Sequence, residues 1–140
     1  MKTIRLLQIM GLLDFLKKSP RDVAKDEIEE VPWHMLNQMD QLDTIVEESK
    51  EKPVAIFKHS TRCGISRMVL KQFEKGYELS DSEAKLYYLD LLQNRNISSE
   101  IAARFEVYHE SPQLLVIKDG KAVDHASHHS ISPNQISKFI

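Results

Sequence analysis

A short apolar segment that leads directly into the only cysteine of the chain is the feature that most constrains the fold. Residues 54–59 begin Val-Ala-Ile-Phe and are bounded by turn-forming residues, as is typical of a buried strand. Cys63 follows at once, and apolar side chains then recur at helical spacing. The pattern predicts a strand, a turn and a helix over residues 63–75, with Cys63 at the N-terminal end of that helix.

This position favours chemistry at the sulfur of Cys63. The first turn of a helix presents unpaired N–H groups and the positive end of the helix dipole, which favour thiolate over thiol. Position 66, where a dithiol redox enzyme has its second cysteine, is a serine. We therefore predict a redox site that works with one sulfur atom. Two interpretations of Ser66 stay open: its hydroxyl donates to the thiolate, or it only replaces a resolving cysteine.

The residues around Cys63 add candidates for electrostatic support and for substrate contact. Arg62, Arg67 and Lys58 each carry a positive charge that is able to favour a thiolate. Most exposed arginines are solvated surface charges, so for Arg62 a functional and a solvated interpretation are equally supported. We expect Lys58 to be solvated at the end of its strand. Thr61 either shapes the substrate groove or caps the helix.

Length, charge and cysteine content restrict the class of protein. A chain of 140 residues is long enough for one domain with a proper core. Lys and Arg number 19 and Asp and Glu number 21, so we expect no nucleic-acid partner. One cysteine excludes an internal disulfide framework and favours a reducing compartment, so we expect a cytoplasmic protein.

The N-terminal region differs in composition from the rest of the chain. Residues 1–16 carry apolar side chains at helical spacing and predict a short amphipathic helix. They lack a small-residue cleavage site and are too short and too polar for an integral membrane segment. Residues 17–31 predict a charged linker. We therefore divide the chain into an N-terminal helix and linker, residues 1–32, and a folded domain, residues 33–140.

The remaining elements of the domain follow from periodicity and turn chemistry. The strand that starts at residue 86 is expected to pair in parallel with the strand before Cys63, through the intervening helix. From the strand at residue 54 onward the predicted order is β-α-β-α-β-β-α. The other predicted elements are a helix over 39–49, a strand over 86–90, a helix over 99–105 capped by Asn96 or Ser98, strands over 113–118 and 121–126 joined by an Asp119-Gly120 hairpin turn, and a helix over 134–140.

That order, with a cysteine at a strand-to-helix junction and a proline directly before the first hairpin strand, resembles the thioredoxin fold. This is an α/β fold with a central mixed β-sheet flanked by helices. In it the proline is cis and lies against the active-site sulfur, so the resemblance favours a cis Ser111–Pro112 bond over an ordinary trans proline. Ser111 and Pro112 then form the opposite wall of the groove, where the backbone of Ser111 pairs with an extended substrate.

Within that fold the sequence resembles the monothiol bacilliredoxins of the bacillithiol system, the YtxJ-type proteins. The resemblance extends from about Trp33 to the C-terminus. That family more often has Thr-Cys-Pro-Ile-Ser at the site, from which this chain departs at Arg62 and Gly64. The motifs that carry the resemblance are residues 57–67, 109–113, 118–120 and 125–132.

The resemblance implies a thiol–disulfide oxidoreductase. Cys63 attacks the small-thiol half of a protein mixed disulfide and releases the target cysteine in reduced form. The implied small thiol and co-substrate is bacillithiol, the implied partners are S-thiolated cytoplasmic proteins, and no tightly bound cofactor is expected. The residues expected to bind the thiol or the substrate are Thr61, Arg62, Gly64, Ser66, Ser111 and Pro112.

Gly64 also creates a second resemblance. The segment Cys-Gly-Ile-Ser at 63–66 differs by one residue from the Cys-Gly-Phe-Ser of monothiol glutaredoxins, which can hold a [2Fe–2S] cluster between two subunits. Those proteins usually carry a Thr-Val-Pro segment and a Gly-Gly turn, and this chain has neither. An iron–sulfur carrier or a thioredoxin-like binding protein is therefore the alternative function.

A group of histidines near the C-terminus raises the question of a metal site. His125, His128 and His129 lie in a predicted strand and the loop after it, with His109 as a further candidate. Residues so placed need not converge, and no second cysteine or well-placed carboxylate completes a ligand set. We therefore predict no metal site.

Overall fold

The computed structural model describes residues 31–140, so the predicted N-terminal helix and nearly all of the charged linker lie outside the described residues. Within that range no helix is long and apolar enough to cross a membrane. The elements are β1 Trp33–Met35, α1 Gln41–Glu48, β2 Val54–His59, α2 Gly64–Gly76, β3 Lys85–Asp90, α3 Arg95–Phe105, β4 Gln113–Lys118, β5 Lys121–Ser127, a 3-10 turn His128–Ser130, and α4 Asn134–Ser137.

The strands form one mixed sheet in the order β1-β3-β2-β4-β5. The pairs β1–β3 and β2–β3 are parallel, whereas β4 pairs with β2 and β5 in antiparallel register. Strand β2 lies in the centre, and all six of its residues are buried. The predicted thioredoxin-like architecture, a central mixed sheet flanked by helices, is confirmed.

Alternation along β2 divides its side chains between the two faces of the sheet. On one face Val54 and Ile56 join an apolar core together with residues of α1 and α3. The helix residues in that core recur at helical spacing, which explains why amphipathic segments cover this face. They are Leu42, Ile45, Ile97, Ile101 and Phe105.

An aromatic cluster covers the other face of the sheet, under α2. Phe57 of β2 lies 5.4 Å from Phe73 of α2, measured between ring centroids. Trp33 lies within 6 Å of both rings and of Tyr88, and its indole N–H donates to Glu74 Oε2 at 2.8 Å. Burial of several aromatic rings in edge and tilted contacts holds α2, and with it the cysteine junction, against the sheet.

One strand was not predicted, and two helices have different ends from those predicted. Helix α4 ends at Ser137, although the prediction extended it to residue 140. Trp33–Met35 forms an edge strand that the pattern did not predict, because three residues are too few for alternation to be visible. Helix α3 begins one turn earlier than predicted, with Asn94 as N-cap in place of Asn96 or Ser98. Asn94 donates from its backbone and from its side chain to Asp90 O, which joins the start of α3 to the end of β3.

The hairpin turn between β4 and β5 occurs where it was predicted. Asp119 and Gly120 both have positive φ, 52° and 76°, as a tight two-residue hairpin requires. The turn is tied to the C-terminal end of α1, because Asp119 N–H donates to Ser49 O at 2.8 Å and Gly120 N–H donates to Ser49 Oγ at 2.9 Å. This turn therefore couples the hairpin to the helical layer.

We expect Gly120→Ala to lower the free energy of unfolding by about 1–2 kcal/mol, because a residue with a side chain is strained at positive φ. Its Cβ would also stand 3.4 Å from Val46 Cγ1. Chemical denaturation measures the change. Gly64→Ala is the matched control, since the nearest atom to a Cβ there lies 4.0 Å away and φ is not positive. Equal losses in the two variants would contradict the explanation.

Candidate active site

Cys63 is the N-cap residue of α2, so the predicted junction is present. Its backbone is extended, with φ −103° and ψ 120°. Its N–H donates to Ser60 O at 3.2 Å, and its C=O accepts from Arg67 N–H at 3.1 Å. The thiol is partly exposed and makes no capping hydrogen bond. The sulfur therefore lies at a helix N-terminus and is accessible to a substrate sulfur.

Thr61 and Arg62 occupy the two central positions of the turn from Ser60 to Cys63, and both side chains are exposed. Because the N-cap is Cys63, the interpretation of Thr61 as a helix cap is wrong. Gly64 is exposed as the first residue of α2. These three residues surround Cys63 on the solvent side, where a substrate would approach.

Ser66 faces inward, one helical turn after Cys63, and is fully buried. Its Oγ lies 2.7 Å from His59 Nδ1 and accepts from Ser60 N–H at 3.1 Å. These partners show that Ser66 does more than replace a cysteine, whereas donation of its hydroxyl to the thiolate stays a prediction. Ser66 joins the first turn of α2 to the end of β2.

His59 is the partner of Ser66 that sequence reasoning missed. The side chain is buried, and its ring lies 5.7 Å from the ring of Tyr88. Burial lowers the pKa of His59 below its usual value, Arg67 acts in the same direction, and Asp90 opposes them. The imidazole is therefore neutral at neutral pH. The sequence did contain a signal for this partner. His59 is a polar residue at the end of a strand that is buried on both faces, and a buried polar group needs an internal hydrogen-bond partner.

Lys58 is fully buried, so the expectation that it is solvated was wrong. Its ammonium donates to His109 Nδ1 at 3.3 Å, and Ser98 Oγ lies 3.3 Å from the same nitrogen. Burial lowers the pKa of Lys58 to about 8. Burial also lowers the pKa of His109, as does the charge of Lys58, whereas Glu110 raises it. A neutral His109 is thus the acceptor for a buried ammonium.

The Ser111–Pro112 peptide bond is cis, as the resemblance favoured. Lys58 of β2 pairs with Gln113 of β4, so Pro112 lies at the same end of the sheet as the turn that carries Cys63. Within residues 31–140, the backbone N–H and C=O of Ser111 make no backbone hydrogen bond, and its Oγ is buried without a partner. The backbone of Ser111 is therefore available to an extended chain.

One of the C-terminal histidines, His128, contacts the cis-proline. His128 donates from its backbone N–H to Pro112 O at 3.0 Å and has a positive φ of 55°. His125, His128 and His129 are all exposed. In the part of the chain that the structure describes, no three His, Cys, Asp or Glu side chains are arranged to hold a metal ion. The histidine segment therefore contacts the cis-proline through the backbone N–H of His128.

We expect Ser66→Ala to lower the free energy of unfolding by about 2 kcal/mol, because His59 Nδ1 and Ser60 N–H would lose their partner in a buried place. Thermal or chemical denaturation measures the loss. Ser99→Ala is the matched control, since Ser99 is exposed on α3 and alanine is the better helix former. Equally small effects in both variants would show that the Ser66 bonds do not stabilise the junction.

Burial of Lys58 predicts a pH-dependent stability. Between pH 8 and pH 10.5 the unfolded chain binds more protons at this residue than the folded chain, so its contribution to stability rises with pH. Relative to Lys58→Met, the wild type should therefore gain roughly 2 kcal/mol of unfolding free energy between about pH 7 and pH 10. Lys121→Met, at an exposed position, should show no such gain. A difference in unfolding free energy between wild type and Lys58→Met that stays constant from pH 7 to pH 10 would contradict the prediction.

Comparison with known proteins agrees with this geometry. The family model described as monothiol bacilliredoxin BrxC matches residues 34–136. A solved structure described as a candidate oxidoreductase with a thioredoxin fold is 33% identical, with a TM-score of 0.65, and the match covers 76% of this chain and 92% of that one.

Thioredoxins of known structure support the fold alone. That of Schistosoma mansoni is 23% identical, with a TM-score of 0.59, over 79% of this chain and 100% of that one. That of Fasciola hepatica is 24% identical, with a TM-score of 0.56, over 76% of this chain and 99% of that one. Since the family model covers most of the chain, including Cys63 and the cis-proline, this protein belongs to the monothiol bacilliredoxin family.

Proposed function

We propose that this protein is a thiol–disulfide oxidoreductase that removes bacillithiol, or a similar small thiol, from protein mixed disulfides through Cys63. The observation that carries the proposal is a single accessible thiol at the N-terminus of α2, with a buried serine where a second cysteine would stand. Membership of the bacilliredoxin family supports thiol oxidoreductase chemistry. Bacillithiol as the small thiol rests on that family resemblance.

The first step is an exchange at sulfur. The Cys63 thiolate attacks the small-thiol sulfur of the mixed disulfide, a new disulfide forms between Cys63 and the small thiol, and the old bond breaks. The electron pair of the old bond leaves with the target cysteine, which takes a proton from water.

The second step needs an external thiol, because Ser66 offers no sulfur to expel the adduct. A second small-thiol molecule attacks the adduct, forms a small-thiol disulfide, and returns Cys63 as thiolate. Burial of Ser66 against His59 keeps this position closed to solvent. The chain therefore acts on the small-thiol half of its substrate and depends on the reducing pool of its compartment, for which we propose the cytoplasm.

Target proteins are held by the wall opposite Cys63. The backbone N–H and C=O of Ser111, which make no backbone hydrogen bond within residues 31–140, pair with an extended segment of the S-thiolated protein. Such main-chain pairing is independent of side chains, so it suits an enzyme with many protein substrates. Thr61 and Arg62, both exposed beside Cys63, contact the same segment.

We expect Cys63→Ser to abolish release of a labelled small thiol from a model protein mixed disulfide, because serine replaces the nucleophile at almost unchanged size. Mass spectrometry of the intact protein follows the transfer. Wild-type protein should gain the mass of the small thiol while the target appears reduced, and added small thiol should then remove the adduct.

Lys121→Gln, at the far end of the sheet, serves as the control and should release the label at the wild-type rate. Two results would contradict the proposal. One is release at an unchanged rate in Cys63→Ser, and the other is an adduct between Cys63 and the target in place of the small thiol.

A further inference from the structure

Lys58 is a buried charge that the proposed exchange reaction does not use. No part of its side chain is exposed, although its strand ends just before the turn that carries Cys63. Within residues 31–140 its ammonium makes one hydrogen bond, to His109 Nδ1 at 3.3 Å. A single bond of this length does not offset the cost of burying a charge, which is on the order of several kcal/mol. Stability of the fold therefore does not explain why an ammonium lies here.

His109 lies on the segment directly before the cis-proline, residues 108–111. This segment belongs to no helix or strand. Apolar burial does not fix it, since Tyr108 is 95% exposed and both His109 and Glu110 are also exposed. Among the described residues its backbone makes one hydrogen bond, in which Tyr108 O accepts from Gln113 Nε2 at 2.9 Å. The segment therefore depends on a few hydrogen bonds for its position.

The ring of His109 supplies the other attachment of this segment. Its Nδ1 lies 3.3 Å from Lys58 Nζ and 3.3 Å from Ser98 Oγ, in the first turn of α3. Lys58 and Gln113 are opposite one another in β2 and β4, so their two buried side chains share a face of the sheet. Two neighbouring polar side chains of the sheet thus hold the segment, and the bond from Lys58 is the one nearer to Ser111.

We propose that Lys58 is a positioning residue for protein substrates: through His109 it holds the segment before the cis-proline, so that the backbone of Ser111 meets the chain that flanks the modified cysteine. This inference rests on the proposed function and assigns a role in it to a buried residue. Alignment of a bound chain affects the rate at which its disulfide reacts. A substrate without a peptide backbone has nothing to pair with Ser111, so its reaction at Cys63 should not depend on Lys58.

The test compares two mixed disulfides of bacillithiol, one with the central cysteine of a short neutral peptide and one with mercaptoethanol, which has no peptide group. We expect Lys58→Met to lower the second-order rate constant for the peptide probe roughly fivefold, and that for the mercaptoethanol probe less than about twofold. Methionine removes a buried charge, so the variant should be at least as stable as wild type at pH 7. A loss of rate that is confined to the peptide probe then does not come from unfolding.

A third probe tests whether the effect passes through the backbone of the substrate. It is the same peptide with N-methyl groups on the two residues that flank the cysteine, which removes their N–H donors. Wild type should react more slowly with this probe than with the parent peptide, and Lys58→Met should differ from wild type on it by less than about twofold. Lys121→Met is the matched control, since this exposed lysine lies at the opposite end of the sheet from Cys63. It should leave the rates of all three probes unchanged.

The ring of His109 gives a second readout, because only a neutral imidazole accepts from the ammonium. The groups that face this ring are Lys58 of β2, Ser98 of α3 and the neighbouring Glu110. In wild type the ratio of the peptide rate constant to the mercaptoethanol rate constant should fall between about pH 7 and pH 5, as the imidazole is protonated. His109→Gln keeps an acceptor that does not titrate, so its ratio should stay constant. Ionisation of Cys63 affects both probes alike and cancels in the ratio.

Three results overturn the role of Lys58. Lys58→Met slows the peptide and mercaptoethanol probes equally, it slows the parent and N-methylated peptides equally, or the rate ratio changes with pH in the same way in wild type and His109→Gln. In each case release through Cys63 persists, so the proposed function stands. Failure of the wild type to release bacillithiol from either the peptide or mercaptoethanol overturns the proposed function and the role of Lys58 together.

Discussion

Burial of β2 on both faces is the constraint on which the rest of the site depends. The strand lies between β3 and β4 and is covered by helices on both sides, so each of its six residues needs either apolar neighbours or an internal hydrogen-bond partner. Its first four residues are apolar, but its last two are Lys58 and His59. The structure must therefore supply a hydrogen-bond partner to each of these two polar side chains.

Each of these two residues stabilises one side of the candidate active site. His59 points under α2 and bonds to Ser66, which also accepts from Ser60 N–H, so the turn that carries Cys63 is held at both ends. Lys58 points to the other face and bonds to His109, two residues before Ser111. The turn that carries Cys63 and the segment that carries the cis-proline are thus both bonded to β2. This shared strand fixes the position of the two walls of the substrate groove relative to each other.

Much of the fold was predictable because its signals are local. The strand at 54–59, the helix after Cys63, the parallel strand near residue 86 and the Asp119-Gly120 turn each depend on neighbouring residues, and the structure contains all of them. The predicted cis Ser111–Pro112 bond came from the resemblance and is also present. One error concerns a long-range contact, because strand β1 exists only through its pairing with β3. The other concerns the short turn between β3 and α3, where Asn94 bonds to Asp90, four residues earlier.

The sequence by itself determined the position of the single thiol at a strand-to-helix junction and the serine in place of a second cysteine, because both depend on adjacent residues. Only the tertiary structure decided which polar side chains meet. Lys58 and His109 are 51 positions apart, and they meet because β2 and the segment before β4 lie side by side. The partners of Ser66 also depend on side-chain direction, which burial against the sheet determines and a linear pattern does not record.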